Sequence, residues 1–187
     1  MTSKVGISMQ VLSYETKYAA QIADLLNNYL PFEPESAETV EQAGGIRFLC
    51  VNELHQVIGY IAGYEIKSFE QAFPFFHDSL ADVKDLIEQG PTYYSSHFVV
   101  HPHYRKLGLG SKLVEAYMQQ LEKQASAVVV VGWVQSDTKK WAAERQFEQR
   151  GFTPKVYIHR YFEPYNVYCP NCAGTCYCDA HIMAKLF

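Results

Sequence analysis

The segment Phe98-Val99-Val100-His101-Pro102-His103-Tyr104-Arg105-Lys106-Leu107-Gly108-Leu109-Gly110-Ser111 joins an apolar run to a basic, glycine-rich turn and the start of an amphipathic repeat. Leu109, Leu113, Val114, Tyr117, Met118 and Leu121 recur at the spacing of one helix face, so the turn opens a helix. The first N–H groups of a helix lack intrahelical partners and sit at the positive end of its dipole, which suits them to phosphate oxygens. Gly108 and Gly110 let a ligand approach backbone where a Cβ would block it, and Arg105 and Lys106 add charge. The chemistry is that of a pyrophosphate cradle for a nucleotide-like cofactor. A Rossmann loop fits poorly. It has no leading arginine and expects a ribose-binding acid about twenty residues on, where this chain has the apolar run Val128 to Val131.

Cys169, Cys172, Cys176 and Cys178 fall within ten residues, spaced x2, x3 and x1 and opening Cys-Pro-Asn-Cys. Three readings stand side by side: a compact thiolate site for zinc with His181 as a spare ligand, reduced thiols without metal, and a disulfide or redox role. The first pair makes a good zinc knuckle, whereas the short separation of the two pairs is unlike most structural zinc sites. Cys50, alone in a strand, reads as a small core residue.

These groups need a scaffold, and 187 residues, 48% apolar and 14% aromatic, suffice for one well-buried core. A net charge of -4 leaves no basic footprint for nucleic acid and no polybasic run for an anionic membrane. Residues Met1 to Tyr18 lack the signal-peptide pattern, and the longest apolar stretch, Ala127 to Val131, is far too short to span a bilayer, so a cytoplasmic protein is expected. The patterning predicts a strand over Ile7 to Tyr14, a helix from Tyr18 to Tyr29 ended by Pro31, and a short helix capped by Ser36. Strands follow over Arg47 to Asn52 and Val57 to Ile66, then an aromatic-rich stretch, Ser68 to Gly90, with a helix over Leu80 to Glu88. Tyr93 to Val100 is the central strand, the cradle helix runs to about Lys123, and Ala127 to Val134 is a buried strand. Asp137 is expected to cap a helix ending at Gly151, before closing strands over Phe152 to Tyr161 and His181 to Phe187. Glu33, Glu35 and Glu38 lie between the first two helices, either as an acidic rim for a cationic amine or as a solvated loop.

Strand, Arg105-x-x-Gly108-x-Gly110 and helix together resemble the central motif of the GNAT superfamily of acyl-CoA N-acyltransferases. Val100 to Arg105 is similar to the usual lead-in, and Phe147-Glu148-Gln149-Arg150-Gly151-Phe152 resembles the later aromatic-x-x-x-Gly-Phe segment. The resemblance implies an α/β GNAT fold: a single domain over residues 1–187 with a mixed central β-sheet of about seven strands flanked by helices. Within it, residues 66–90 are an insertion before the central strand and 163–180 a cysteine-rich hairpin connection, because Ile182 to Phe187 resembles the family's closing strand.

The implied activity is transfer of the acetyl group of acetyl-CoA to a primary amine of a small molecule, by direct attack. The aromatic insertion resembles that of arylalkylamine N-acetyltransferases, and a polyamine-like amine is a further candidate. The alternatives are a protein or peptide N-acetyltransferase and a non-catalytic acyl-CoA-binding or regulatory domain; a homodimer is the candidate assembly. By resemblance, Phe98, Val99 and Val100 bind the acetyl carbonyl and pantetheine arm, with the N–H of Val99 or Val100 as oxyanion donor. Arg105, Lys106, Leu107, Gly108, Leu109, Gly110 and Ser111 hold the pyrophosphate. The usual tyrosine acid is replaced by Phe147, which has no proton to give. The usual base position falls near Tyr94 to Ser96, so Tyr94, acting through water, and His97 are the candidate bases. Strict alternation would set Tyr94, Ser96 and Phe98 on one face and Tyr93, Ser95 and His97 on the other.

Overall fold

The computed structural model describes residues 9–30, 34–76 and 78–187. Its elements, in chain order, are β1 (Gln10–Ser13), α1 (Ala19–Tyr29), α2 (Ala37–Gln42), β2 (Ile46–Val51), β3 (Val57–Glu65), α3 (Phe69–Ala72), α4 (Ala81–Gln89), β4 (Thr92–Val100), α5 (Leu109–Leu121), β5 (Ala127–Val134), α6 (Glu144–Glu148), β6 (Thr153–Ile158), β7 (Tyr168–Cys169), β8 (Gly174–Thr175) and β9 (Asp179–Leu186). Seven strands form one sheet in the order β1-β2-β3-β4-β5-β9-β6, antiparallel throughout except for the β4–β5 pair. The two-residue strands β7 and β8 pair as a separate hairpin within the β6–β9 connection.

Helices cover both faces of the sheet, which is why β5 can be a nearly unbroken run of valine. On one face the apolar stripe of α5, Leu109 to Leu121, packs with Ile58, Ile61, Tyr93, Val128 and Met183. On the other, α1 and α2 bury Ile22, Leu26 and Val40 against Leu49, Tyr60 and Val99. Beside them α3, α4 and the β6–β9 connection bury Phe69, Phe73, Val83, Tyr161 and Phe162 against Val129, Ile182 and Ala184. Ser36 caps α2 as its position suggested, its Oγ accepting from the Thr39 N–H while Thr39 Oγ1 accepts from the Ser36 N–H.

One local expectation changes. Asp137 does not cap a helix: it accepts from the N–H of Thr138 next door, and α6 begins only at Glu144. The chain between them turns so that the Trp141 ring lies flat on β5, where a Cβ at Gly132 would sit 2.2 Å from the ring. Ile7, Ser8, Pro31 and Glu33, which figured in the expected first strand, helix stop and acidic rim, lie outside the described residues. Among the described residues no helix is long and apolar enough to cross a membrane.

Candidate active site

The β4–β5 ladder runs from Thr92↔Ala127 to Ser95↔Val130 and stops there, although β4 continues to Val100 and β5 to Val134. Past that point each strand keeps its outer partner, β4 holding β3 as far as Gly59↔Val100 and β5 holding β9 as far as Val134↔Asp179. The sheet therefore opens as a wedge between its two parallel strands. A cavity of about 390 Å³ occupies the wedge and reaches both faces. Trp141, Ala143 and Phe147 line it on the α5–α6 side, while Tyr64, Tyr94, Tyr161, Phe162 and Tyr165 line it on the other.

One strand edge in the wedge is set by hydrogen bonding. The N–H of His101 donates to the carbonyl of Ile58 at 2.9 Å, and the unbroken register Phe98↔Ile61, Val99↔Tyr60, Val100↔Gly59 carries that alternation back along β4. The N–H of Val99 is thereby directed to β3, and those of Phe98 and Val100 face the opening. Of the two expected oxyanion donors, Val100 has the required direction, with Phe98 beside it.

The expected cradle, Arg105 to Ser111, follows directly. Gly108, at φ 80°, takes the left-handed conformation that starts α5, and the first intrahelical bond runs from the Lys112 N–H to the Gly108 carbonyl at 3.2 Å. The N–H groups of Leu109, Gly110 and Ser111 precede it and have no intrahelical partner. Arg105, Lys106 and Leu107 are exposed, and Arg105 Nε donates to the Val100 carbonyl at 3.0 Å, tying the loop to the end of β4. Gln146 of α6 accepts from Ser111 Oγ at 2.8 Å, and Arg150, just past that helix, donates to the Ser111 carbonyl at 3.1 Å, so the start of α5 is braced on a second side.

The candidate bases separate in environment. A β-bulge inserts Ser96 into β4 opposite the Ala62–Gly63 step, which reverses the alternation beyond it. Tyr93, Phe98 and Val100 consequently pack on the α5 face, whereas Tyr94 and Val99 join the opposite cores and His97 meets Tyr60 there. The grouping of His97 with Tyr93 and Ser95 is thus corrected: His97 shares the face of Tyr94. Tyr94 is wedged against Tyr64 and Phe73, and burial pushes its phenol far up, so it stays protonated. Burial lowers His97 from the ordinary histidine value, opposed by the carboxylate of Glu35, whose Oε1 lies 3.8 Å from Nε2. The imidazole is then neutral at neutral pH, as a base must be. Its Nδ1 lies 3.0 Å from Ser96 Oγ, a hydroxyl that lines the cavity and also reaches the Ala62 carbonyl at 3.3 Å. Sequence reasoning gave Ser96 no role, since nothing local marks a bulge.

Phe147 lines the same cavity, stacked on Trp141 at 5.3 Å and edge-on to Phe98 at 5.7 Å, on the α5–α6 side. Of the acidic residues near α2, Glu35 faces His97 and accepts from Thr39 Oγ1 at 2.5 Å, while Glu38 is exposed and accepts from Gln42 one turn on.

In the β6–β9 connection the Sγ atoms of Cys169, Cys172, Cys176 and Cys178 all lie within 4.8 Å of one another. All four are free thiols, and all but Cys172 are buried. Burial would raise Cys172, but hydrogen bonds from the Tyr177 backbone, Ser136 and the neighbouring thiols outweigh it and bring it to about 7. His181 does not join them: its Nδ1 pairs with Glu144 at 2.6 Å, toward α6. Cys50 is a core residue of β2, its thiol pushed up to about 11 by burial. Asp179 anchors the end of the connection. Burial would raise its carboxyl, but hydrogen bonds from Tyr157, the Arg160 N–H and Lys139 hold it near 2.

A family model described as the acetyltransferase (GNAT) family matches residues 19–152. No curated protein sequence matches significantly. Among solved structures, NAA60 of Arabidopsis thaliana, in complex with acetyl-CoA, is similar with a TM-score of 0.69 and 12% identity over 96% of this chain and 99% of that one. The ribosomal-protein alanine N-acetyltransferase of Escherichia coli gives 0.64 and 18% over 96% and 94%. A GNAT-family acetyltransferase of Streptococcus pneumoniae gives 0.64 and 16% over 96% and 99%. At these identities the likeness is one of fold.

Proposed function

This chain belongs to the GNAT family of acetyltransferases, which use acetyl-CoA, and we propose that it acetylates the primary amine of a small molecule whose body is apolar or aromatic. The observation that carries this reading is the cavity through the sheet. Its far wall is built of the rings of Tyr64, Tyr94, Tyr161, Phe162 and Tyr165, and no carboxylate, ammonium or guanidinium is among its described lining residues. A volume of about 390 Å³ suits a small amine. A polyamine-like acceptor, which needs acids along its length, finds none among those described residues.

Acetyl-CoA supplies the thioester that is attacked. On the α5–α6 side, the turn from Arg105 to Ser111 offers three first-turn N–H groups and two cations to the pyrophosphate. The free edge of β4 offers Phe98 and Val100 N–H groups to a pantetheine amide and to the oxygen of the acetyl group as it gains negative charge. The amine reaches the same opening from the tyrosine-lined side. Its nitrogen bonds to the carbonyl carbon, the C–S bond breaks, and the proton it loses passes to Ser96 Oγ as that hydroxyl's own proton passes to His97 Nδ1. Because Phe147 has no acid to offer, CoA leaves as the thiolate.

The test is a panel of primary amines with acetyl-CoA, read by release of free CoA thiol. Aryl and alkyl monoamines should give kcat/KM about tenfold or more above spermidine and above short peptides with free N-termini. A peptide turned over best would replace this reading with a protein or peptide N-acetyltransferase. Tight acetyl-CoA binding without thiol release for any amine would leave an acyl-CoA-binding domain.

A further inference from the structure

We infer that Cys169, Cys172, Cys176 and Cys178 hold one zinc ion as a tetrathiolate, and that this ion fixes the wall of the cavity formed by the β6–β9 connection. Four thiolates around zinc, each ~2.3 Å from the metal, must stand ~3.8 Å apart at the corners of a tetrahedron. All four Sγ atoms lie within 4.8 Å of one another, and Cys172 and Cys178 are 3.6 Å apart. The spacing is far beyond the ~2.05 Å of a disulfide and already close to that of a coordination shell.

The fold explains how so short a sequence closes the site. Cys169 ends β7, the turn through Pro170 and Ala173 presents Cys172, and β8 returns the chain. Ala173 takes the left-handed conformation at φ 52°, which brings Gly174 opposite Cys169. The N–H of Cys176 donates to the Val167 carbonyl at 2.8 Å, and Cys178 leads straight into β9. The hairpin thus folds the second pair of cysteines back on the first, which replaces the long spacer between ligand pairs in most zinc sites. A two-stranded ribbon of two residues per strand has little stability of its own, and a metal bound at its base would contribute its binding free energy to folding.

The consequence for the cavity follows from packing. The buried cysteines lie in one cluster with Phe73, Tyr161 and Phe162, and Phe75 and Phe76 of the aromatic stretch before α4 pack on Tyr165 and Tyr161. Tyr161, Phe162 and Tyr165 are the cavity's lining on that side. A tetrathiolate has no open coordination position, so the ion would shape this wall without touching the reaction. This second half of the inference rests on the amine binding at that wall; the metal itself does not.

Protein purified without added metal should contain ~1 equivalent of zinc, and Co2+ exchanged into it should show the intense thiolate charge-transfer bands of a tetrahedral tetrathiolate. Mercurial titration should release the zinc in step with the four thiols. Cys172→Ser, at the one partly exposed ligand, should lose most of the metal and lower the melting temperature. It should also raise the acceptor KM at least fivefold while the acetyl-CoA Kd stays within about twofold. Zinc below about a tenth of an equivalent, with no Co2+ bands and thiols that are freely reactive or paired as disulfides by mass spectrometry, would overturn the site. A full equivalent of zinc with an unchanged acceptor KM in Cys172→Ser would keep the metal and remove its link to the cavity.

Discussion

Ser96 and His97 are adjacent in the chain and share a hydrogen bond, yet only Ser96 lines the cavity. In the proposed proton path His97 acts through Ser96, so the two should fail together. Ser96→Ala and His97→Gln should each lower kcat by ~10² with little change in acceptor KM, the usual loss when a positioned proton acceptor is removed. The pH profile carries the sign. His97 is lowered from its ordinary value, so it remains neutral through pH 7, and kcat should fall only as the pH drops below ~6.5. Glu35 favours the imidazolium, so Glu35→Gln should move that acidic limb to still lower pH. A limb that stays in place in His97→Gln would assign the base elsewhere.

The element we propose as the cofactor's anchor is the loop before α5 with that helix's first turn, and in that role its backbone N–H groups matter more than its side chains. A clean test adds negative charge there without disturbing the core. Gly110 is unsuitable, because a Cβ would stand 3.2 Å from the Phe98 ring. Leu107 is 49% exposed in the loop. Leu107→Asp should leave the melting temperature unchanged and weaken CoA binding about tenfold or more, through repulsion at a site built for an anion. Equal affinity in a normally folded variant would remove the pyrophosphate from this turn.

The sheet as a unit is two half-sheets joined over Thr92–Ser95 and Ala127–Val130 and open beyond. A ligand bonded to the open edge of β4 adds contacts that the free protein lacks, so binding and stability are linked. CoA at ~100 times its Kd should add ~2.7 kcal/mol and raise the melting temperature by ~5–10 °C. Hydrogen exchange gives the location. The amides of Phe98 and Val100 should exchange quickly without ligand and slow on binding, while that of Val99, already bonded to β3, should be slow in both states. Uniform slowing along β4 would contradict an edge-specific contact.

The glycine turn and helix start at Gly108 were legible in the sequence because they are local: a glycine able to take positive φ, followed at once by a helix with its own apolar period, needs no distant partner to be recognised. The same holds for the Ser36 cap and the valine run of β5. The direction of His97 was not legible, because it depends on one extra residue of β4 opposite the Ala62–Gly63 step, a choice made between strands. Nor could cysteine spacing alone reveal that His181 turns to Glu144 or that four sulfurs converge, since a hairpin of two-residue strands brings them together. The wedge itself has no sequence signature. It exists because β4 and β5 each keep an outer partner after losing one another, and that competition for hydrogen bonds is decided only when the whole sheet assembles.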